Sequence, residues 1–298
     1  MRTAAAEYLI RQRVAALRRA LPAAKDGDVR SLHQARVATR RLRAALPLVG
    51  AGRKAEKVTR CIRRLTRVLG PARELDVSLL ILDELEQSPD VPRAAVDRLR
   101  VSIADERRRL QEHVRERLDD FDIQKVRKRA LAVARKGIDD RRPRDPAAVA
   151  WARERTTRRA RRLAAAIEHA AGLYLPDRLH NVRIAIKKLR YTLELDAAAR
   201  DGRPRNAGAL RTLRNMQDLL GRMHDLEVLI ARTRNIQSSP GASMLKMSAD
   251  LDRLVRRLET ECRQLHGHYM GARAKLTAVC DRLIKAGERG DRAHSSAA

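Results

Sequence analysis

The sequence predicts an all-α protein made of two similar halves, on three observations. Ala, Leu, Arg and Glu dominate the 298 residues, and apolar residues recur at three- and four-residue intervals, as they do along one face of a helix. Alternating runs rich in Val, Ile, Thr and aromatic residues, which would predict strands, are absent from the sequence. Two motifs recur in the same order in the second half, which indicates that one helical unit was duplicated.

Turn-forming residues predict where the helices end. We place breaks at residues 22 with 26–28, 50–52, 70–71, 88–89, 142–143, 176–177, 201–204 and 238–241. The segment 141–146, RRPRDP, has two prolines and no apolar residue, so we expect one domain, 1–286, whose two repeats (about 1–140 and 147–286) are joined there. Each repeat is long enough for a four-helix bundle. Residues 287–298 are small and polar, and we expect them to be disordered.

The charge balance predicts an anionic partner. Lys and Arg number 66 against 37 for Asp and Glu, which leaves a formal charge of +29. Such a surplus repels itself in the folded state and is typical of proteins that bind nucleic acid, anionic membranes or phosphate polymers. Aromatic residues make up only 2% of the chain, too few for the base stacking by which single strands are bound. Composition therefore favours a partner that is recognised by its charge.

Other classes of protein fit the sequence poorly. No apolar stretch approaches the length that spans a bilayer, and the N-terminus lacks the apolar run of a signal peptide. The three cysteines, Cys61, Cys262 and Cys280, form neither a disulfide framework nor a metal knuckle. We therefore expect a cytoplasmic protein with reduced thiols and no membrane partner.

The first repeated motif carries the candidate binding residues. HQARVATRRLR at 33–43 returns as HNVRIAIKKLR at 180–190, an offset of 180 − 33 = 147 residues. At roughly 100° per residue, one histidine and three basic residues of each copy share one side of the helix beside its apolar face. The first stripe is His33, Arg36, Arg40 and Arg43, and the second stripe is His180, Arg183, Lys187 and Arg190. No acidic residue lies among them in either copy, so the charges of each stripe repel one another and predict an anion site.

The next predicted helix adds basic candidates to both halves. These are Arg60, Arg63 and Arg67 in the first half and Arg211 and Arg214 in the second, where Asp218 stands opposite Arg67. We therefore expect the second half to bind more weakly. The arginines at 107–109 and 158–162 are predicted to be solvated surface charge.

The second repeated motif is interpreted as helix punctuation. LGPARELDV at 69–77 returns as LGRMHDLEV at 220–228, with an offset of 221 − 70 = 151. Gly is expected to end one helix, and the acids to complement the dipole at the start of the next. Asp76 and Asp225 are also placed to orient a nearby arginine.

Together the two motif pairs resemble the CHAD family over about residues 5–285. The resemblance implies two four-helix bundles related by a pseudo-twofold axis, with a basic groove or pore between them. It also implies binding of inorganic polyphosphate and localisation to polyphosphate granules. The residues at the matching positions, those of the two stripes, would face the ligand.

We therefore predict a binding protein without catalytic activity, metal or cofactor, whose ligand is inorganic polyphosphate and which is a monomer or a weak homodimer. An architectural nucleic-acid-binding protein is the alternative, since it would share the charge. A metal-dependent phosphohydrolase is disfavoured, because His33, His180 and His224 lie among basic residues with neither an HExxH motif nor paired carboxylates.

Overall fold

The computed structural model describes residues 3–49, 52–139, 146–199, 206–238 and 242–295. These ranges contain nine α-helices and no strand, which confirms the all-α prediction. The helices are α1 (Thr3–Lys25), α2 (Val29–Val49), α3 (Arg53–Glu86), α4 (Arg93–Asp119), α5 (Ile123–Asp139), α6 (Pro146–His169), α7 (Pro176–Ala199), α8 (Ala207–Gln237) and α9 (Ala242–Ser295). None of them has an apolar stretch of the length and hydropathy that crossing a membrane requires.

Local sequence explains where α2 and α7, the helices with the first motif, begin. Gly27 adopts a positive φ of 94° in the turn after α1. Asp28 then accepts a hydrogen bond from the Ser31 backbone N–H at 2.7 Å and caps α2. Pro176 opens α7, where its missing N–H costs nothing, and Asp177 lies in the first turn. The breaks predicted at 26–28, 88–89 and 176–177 are confirmed, but α1 continues through Pro22, where the sequence also predicted a break. Residues 50–51, 142–143, 201–204 and 239–241 lie outside the described ranges.

The break predicted at 70–71 is wrong, and so is the interpretation of the second motif as punctuation. Helix α3 runs without interruption through Gly70 and Pro71, and α8 runs through Gly221. Leu69 and Leu75 are buried on either side of the Gly-Pro pair, so burying the apolar face outweighs the backbone hydrogen bond lost at the proline. Both copies of the motif therefore lie in the middle of a long helix.

The buried apolar side chains form two cores. The first core joins α1, α2, α5, the first part of α3 up to Ala72 and the end of α4. The second core joins α6 to α9 with the rest of α3 from Leu75 and the start of α4 up to Ile103. Two cores are compatible with the predicted pair of bundles, and their pseudo-twofold relation stays a prediction. Helices α3 and α4 contribute to both cores, while α5 packs in the first core and α6 in the second. Residues 141–145 of the predicted linker lie outside the described ranges.

Ion pairs hold α3 against α8 where the cores meet. Arg222 pairs with Glu84 at 2.7 Å and Arg232 with Glu74 at 3.6 Å, so the two helices run in opposite directions. Arg232 also reaches Glu106 of α4 at 2.6 Å. The second motif is thereby brought to the interface between the cores in both copies.

Helix α9 continues to Ser295, where the sequence predicts a disordered tail from residue 287. Gly287 is buried, and a Cβ added to it would overlap Thr157 Oγ1 of α6. The absence of a Cβ at Gly287 therefore allows close packing between α6 and α9.

Candidate functional site

The two stripes meet where α2 packs against α7. Arg36 and Arg40 of α2 lie near enough to Arg183 and Lys187 of α7 for each pair of charges to interact. Arg73 of α3 joins them beside Arg36. We call these five residues the basic cluster. The sequence predicted four of its members, and the structure brings them together from both repeats.

Burial makes the charges of the basic cluster costly. Burial first, and then the neighbouring cations, lower the pKa of Arg36 to about 10 and that of Lys187 to about 7. Burial also lowers the pKa of Arg183 and Arg73. A cation held half-buried beside like charges lacks both hydration and a full counter-charge. The basic cluster is therefore suited to receive a multivalent anion.

Gly70 of the second motif makes room for Arg36, whereas the equivalent Gly221 only lies next to Arg183. A Cβ on Gly70 would lie 2.8 Å from Arg36 Nη1, and one on Gly221 would lie 4.0 Å from Arg183 Nε. The first distance is too short for an ordinary contact, whereas the second is van der Waals contact. Gly70 thus lets the Arg36 guanidinium lie directly on the backbone of α3.

The histidines lie at the margins of the basic cluster. The His33 side chain is partly exposed. Partial burial of its ring, followed by the nearby charges of Arg73, Arg40 and Arg36, lowers its pKa. His180 stands beside His224 of α8, with ring centroids 4.9 Å apart. Burial first, then Arg183 and other neighbours, lower the pKa of His224 to about 4. Burial also lowers the pKa of His180. At neutral pH these shifts favour the neutral form of all three imidazoles in the free protein.

Arg73 and His224 were not predicted as binding residues, and Asp225 was predicted only to orient a nearby arginine, which agrees with its interaction with Arg183. Arg73 and His224 occupy equivalent positions, since 73 + 151 = 224. Burial raises the pKa of Asp225, while Arg183 and Arg73 oppose that shift. The repetition of the second motif in both halves indicated that its residues are important. The interpretation of Gly70 and Gly221 as helix ends assigned that repetition to punctuation and not to a binding site.

In each repeat, the second acid of the second motif (Asp76 or Glu227) anchors the segment that precedes the helix with the stripe (α2 or α7). Asp76, 1% exposed, accepts a hydrogen bond from Arg107 Nε at 2.7 Å, and Arg107 reaches the Gly27 carbonyl oxygen at 3.3 Å. At the equivalent position, Glu227 accepts a hydrogen bond from the Tyr174 hydroxyl at 2.6 Å. These contacts tie the start of α2 to α3 and α4, and the segment before α7 to α8.

The prediction of solvated surface charge is wrong for two arginines, whereas Arg108, Arg109, Arg158, Arg161 and Arg162 are exposed as predicted. Arg107 is only 11% exposed, because Asp76 holds it at the helix interface. Arg159 is half-buried, and burial together with Arg155 lowers its pKa to about 10.

The first stripe extends outward along α3. Arg43 lies near Arg63, Arg40 and Arg67, and burial followed by these neighbours lowers its pKa. Arg60, the third candidate on this helix, is exposed and has no described contact with the basic cluster. On the first repeat, therefore, positive charge continues from the basic cluster through Arg43 to Arg63 and Arg67.

The positive charge in the outer part of the second stripe is partly offset by one acid, Glu194 of α7. Arg190 pairs with Glu194 at 3.2 Å, and Arg214 lies 3.8 Å from the same carboxylate. The first repeat has Pro47 at the equivalent position, since 47 + 147 = 194. Arg211 is exposed and has no described contact with the basic cluster. These three candidates thus stand apart from the cluster that includes Arg183.

Among the described residues, no group of three or more His, Cys, Asp or Glu side chains is placed to hold a metal ion. The side chains that converge here are mainly cations and imidazoles, together with the carboxyl group of Asp225. Their chemistry suits phosphate or carboxylate oxygens as ligands.

Comparison with known proteins agrees with this architecture. A family model described as the CHAD domain matches residues 8–234, and no curated protein matches the chain. The crystal structure of the CHAD domain from the plant Ricinus communis is similar, with a TM-score of 0.61 and 20% sequence identity over 96% of this chain and 90% of that chain. The similarity to this crystal structure extends the shared fold to nearly the whole molecule. Since the family model covers well over half of its residues, the chain belongs to the CHAD family.

Proposed function

We propose that the chain binds inorganic polyphosphate in the basic cluster without catalysing a reaction. Membership of the CHAD family is consistent with polyphosphate binding in general. The observation that carries the proposal is the convergence of Arg36 and Arg40 from one repeat with Arg183 and Lys187 from the other. Their repulsion is relieved when phosphates, each with acceptor oxygens and a negative charge, lie between α2 and α7.

Arginine is well matched to this ligand. Its planar fork donates two hydrogen bonds to one phosphate, while the lysine ammonium acts as a compact charge. Arg43, Arg63 and Arg67 continue the positive surface on the first repeat, so a flexible chain is contacted beyond the basic cluster on that side. On the second repeat, Arg190 is already paired with Glu194 and therefore attracts phosphate less strongly. The first repeat is therefore proposed to bind more strongly.

The proposal extends to the setting of the protein. We place it in the cytoplasm, at polyphosphate granules, as a monomer or weak homodimer with no cofactor and no membrane partner. An architectural role on nucleic acid is the second candidate, because the same charge also attracts duplex DNA.

Competition between the two polymers tests the proposal. Long-chain polyphosphate is expected to displace a fluorescent DNA duplex from the wild-type protein at a far lower phosphate concentration than unlabelled duplex does. Because the cations of the basic cluster are half-buried, we expect a flexible single chain to reach them more readily than a rigid duplex. Fluorescence anisotropy at fixed salt measures both displacements. The reverse order of potency would favour the nucleic-acid alternative, and release of orthophosphate on addition of Mg²⁺ would contradict the absence of catalysis.

Replacing Gly70 by alanine is expected to weaken polyphosphate binding without destabilising the fold. The added Cβ would lie 2.8 Å from Arg36 Nη1, so the guanidinium must move off the α3 backbone. Alanine is also the better helix former, by about 1 kcal/mol in a helix interior. We expect affinity to fall about tenfold while the melting temperature holds or rises, because about one charge-assisted hydrogen bond is lost.

Gly221→Ala provides the matched comparison. Its Cβ would make an ordinary contact 4.0 Å from Arg183 Nε, so the same gain in helix propensity comes with a smaller loss of affinity. Calorimetric titration and thermal unfolding of both variants check this. Equal losses of polyphosphate affinity from the two substitutions would contradict a specific role for the position of the Arg36 guanidinium on the α3 backbone.

A further inference from the structure

A groove of about 760 Å³ lies between α1 and α2, next to the basic cluster. Its polar lining consists of Gln12, Arg13, Arg19, His33, Gln34 and Arg41. The floor is apolar and includes small residues such as Ala15 and Ala38, whose short side chains leave the space open. None of these arginines belongs to either stripe.

His33 belongs to both the groove and the proposed site. It lines the groove, and it also stands beside Arg36, Arg40 and Arg73. At roughly 100° per residue, Arg36 and Arg40 lie on one side of His33 around the axis of α2, and Arg41 lies on the other. The groove therefore adjoins the basic cluster through this histidine.

The charge of the groove is only partly balanced. Arg13 donates a hydrogen bond to the Arg41 carbonyl oxygen at 2.7 Å and interacts with Glu194 of α7. Arg19 and Arg41 are exposed and form no ion pair with any side chain in the described part of the chain. No carboxylate is among the residues that line the groove. The guanidiniums of Arg19 and Arg41 therefore lie along the groove without an ion-pair partner among the described residues, and His33 stands where the groove meets the basic cluster.

We propose that this groove is a second subsite that holds the continuation of a long polyphosphate chain after it passes His33. This inference rests on the proposed function. From His33 to Arg41, α2 rises about 12 Å, which is longer than a single phosphate group. The rim guanidiniums contact phosphate oxygens, and the apolar floor sets the depth of the chain. Short polyphosphates fill the basic cluster alone, whereas long ones engage both subsites.

The double substitution Arg19→Gln/Arg41→Gln tests the subsite. We expect it to bind tripolyphosphate like the wild type and to bind long-chain polyphosphate about tenfold more weakly, with its salt dependence reduced. The slope of log K against log salt should shrink by about 1.4, since each phosphate contact on a single strand contributes about 0.7. Isothermal titration at several salt concentrations measures both quantities. The control is Arg256→Gln/Arg282→Gln, which removes two exposed arginines from α9 and the same net charge.

The outcomes separate this inference from the proposed function. If the groove variant and the α9 control bind the long chain equally well, the groove is not a subsite, although the basic cluster can still be the site. Equal losses with tripolyphosphate and the long chain would also overturn it, because Arg19 and Arg41 would then belong to a single site. If the wild type binds neither ligand, the proposed function itself fails.

Discussion

Replacing Arg36 and Lys187 together by glutamine is expected to lower the affinity for polyphosphate about 100-fold, the equivalent of two charge-assisted hydrogen bonds of about 1.5 kcal/mol each. The pair takes one cation from each repeat. Their pKa values, about 10 for Arg36 and about 7 for Lys187, are lowered first by burial and then by neighbouring cations. Both side chains therefore gain most from an anion between α2 and α7.

The same double variant is expected to be at least as stable as the wild type when no ligand is present. Glutamine removes two half-buried charges that repel Arg40 and Arg183, so the free energy of unfolding does not fall. Thermal unfolding without ligand measures this. A purely structural role would instead lower the melting temperature, and the loss of affinity would then reflect a damaged fold.

A comparison variant tests whether position matters or only net charge. Arg211→Gln/Arg214→Gln removes two charges that the sequence also assigned to the site. Arg211 is exposed and Arg214 lies 3.8 Å from Glu194. We expect this variant to lose less than about threefold in affinity, as is usual for exposed charges. Equal losses in the two double variants would show that binding responds to overall charge and not to the basic cluster.

Polyphosphate affinity is expected to fall as the pH rises above 7, because binding takes up protons. Lys187 has a pKa of about 7 in the free protein, lowered by burial and by Arg183, and a bound anion favours its charged form. A group whose pKa is higher in the complex strengthens binding fully below its free pKa. That contribution is lost as the pH rises to the bound pKa, by up to about tenfold per pH unit.

The histidines extend this dependence below neutral pH. Burial lowers the pKa of His33 and His180, and that of His224 reaches about 4. Each becomes charged more readily beside phosphate, so affinity continues to rise as the pH falls below the ordinary histidine value of about 6.5. The raised pKa of Asp225, caused by burial, acts in the same direction in acid, since protonation removes a negative charge near the ligand.

Calorimetry in buffers of different ionisation enthalpy measures the proton uptake directly. Near pH 8 the wild type should take up protons from the buffer on binding, because Lys187 is mostly neutral there. Lys187→Arg is the matched variant, since arginine stays charged and the first repeat has Arg40 at the equivalent position. Its uptake near pH 8 should largely vanish while affinity is kept. Identical uptake in the two proteins would contradict the role assigned to Lys187.

The stability of the free protein should change with pH in the opposite direction. Lys187 has a pKa of about 7 in the folded chain and about 10.4 in the unfolded chain, so the unfolded chain binds more protons between these values. Its contribution therefore makes folding more favourable as the pH rises through that window. The difference in melting temperature between the wild type and Lys187→Gln should shrink over this range.

Much of this protein could be predicted from local sequence. Helical periodicity identified the fold class, and turns such as the one around Gly27 were found because a positive φ favours glycine. The stripes with Arg36 and Lys187 were found because residues three and four apart share a helix face. These features depend on neighbours within about one helical turn, which the sequence displays directly.

Tertiary structure decided the rest. Gly70 and Gly221 resemble helix ends in sequence, but burial of leucines on both sides of Gly70 keeps α3 continuous, and Gly70 then leaves space for Arg36. Glu194 pairs with Arg190 of its own helix and lies 3.8 Å from Arg214 of α8, so one carboxylate partly offsets two cations. The sequence by itself determined the helices and the two cationic stripes. Which cations converge, and which are partly offset by an acid, depended on contacts between residues far apart in the chain, because electrostatic energies are set by distance and burial in the folded molecule.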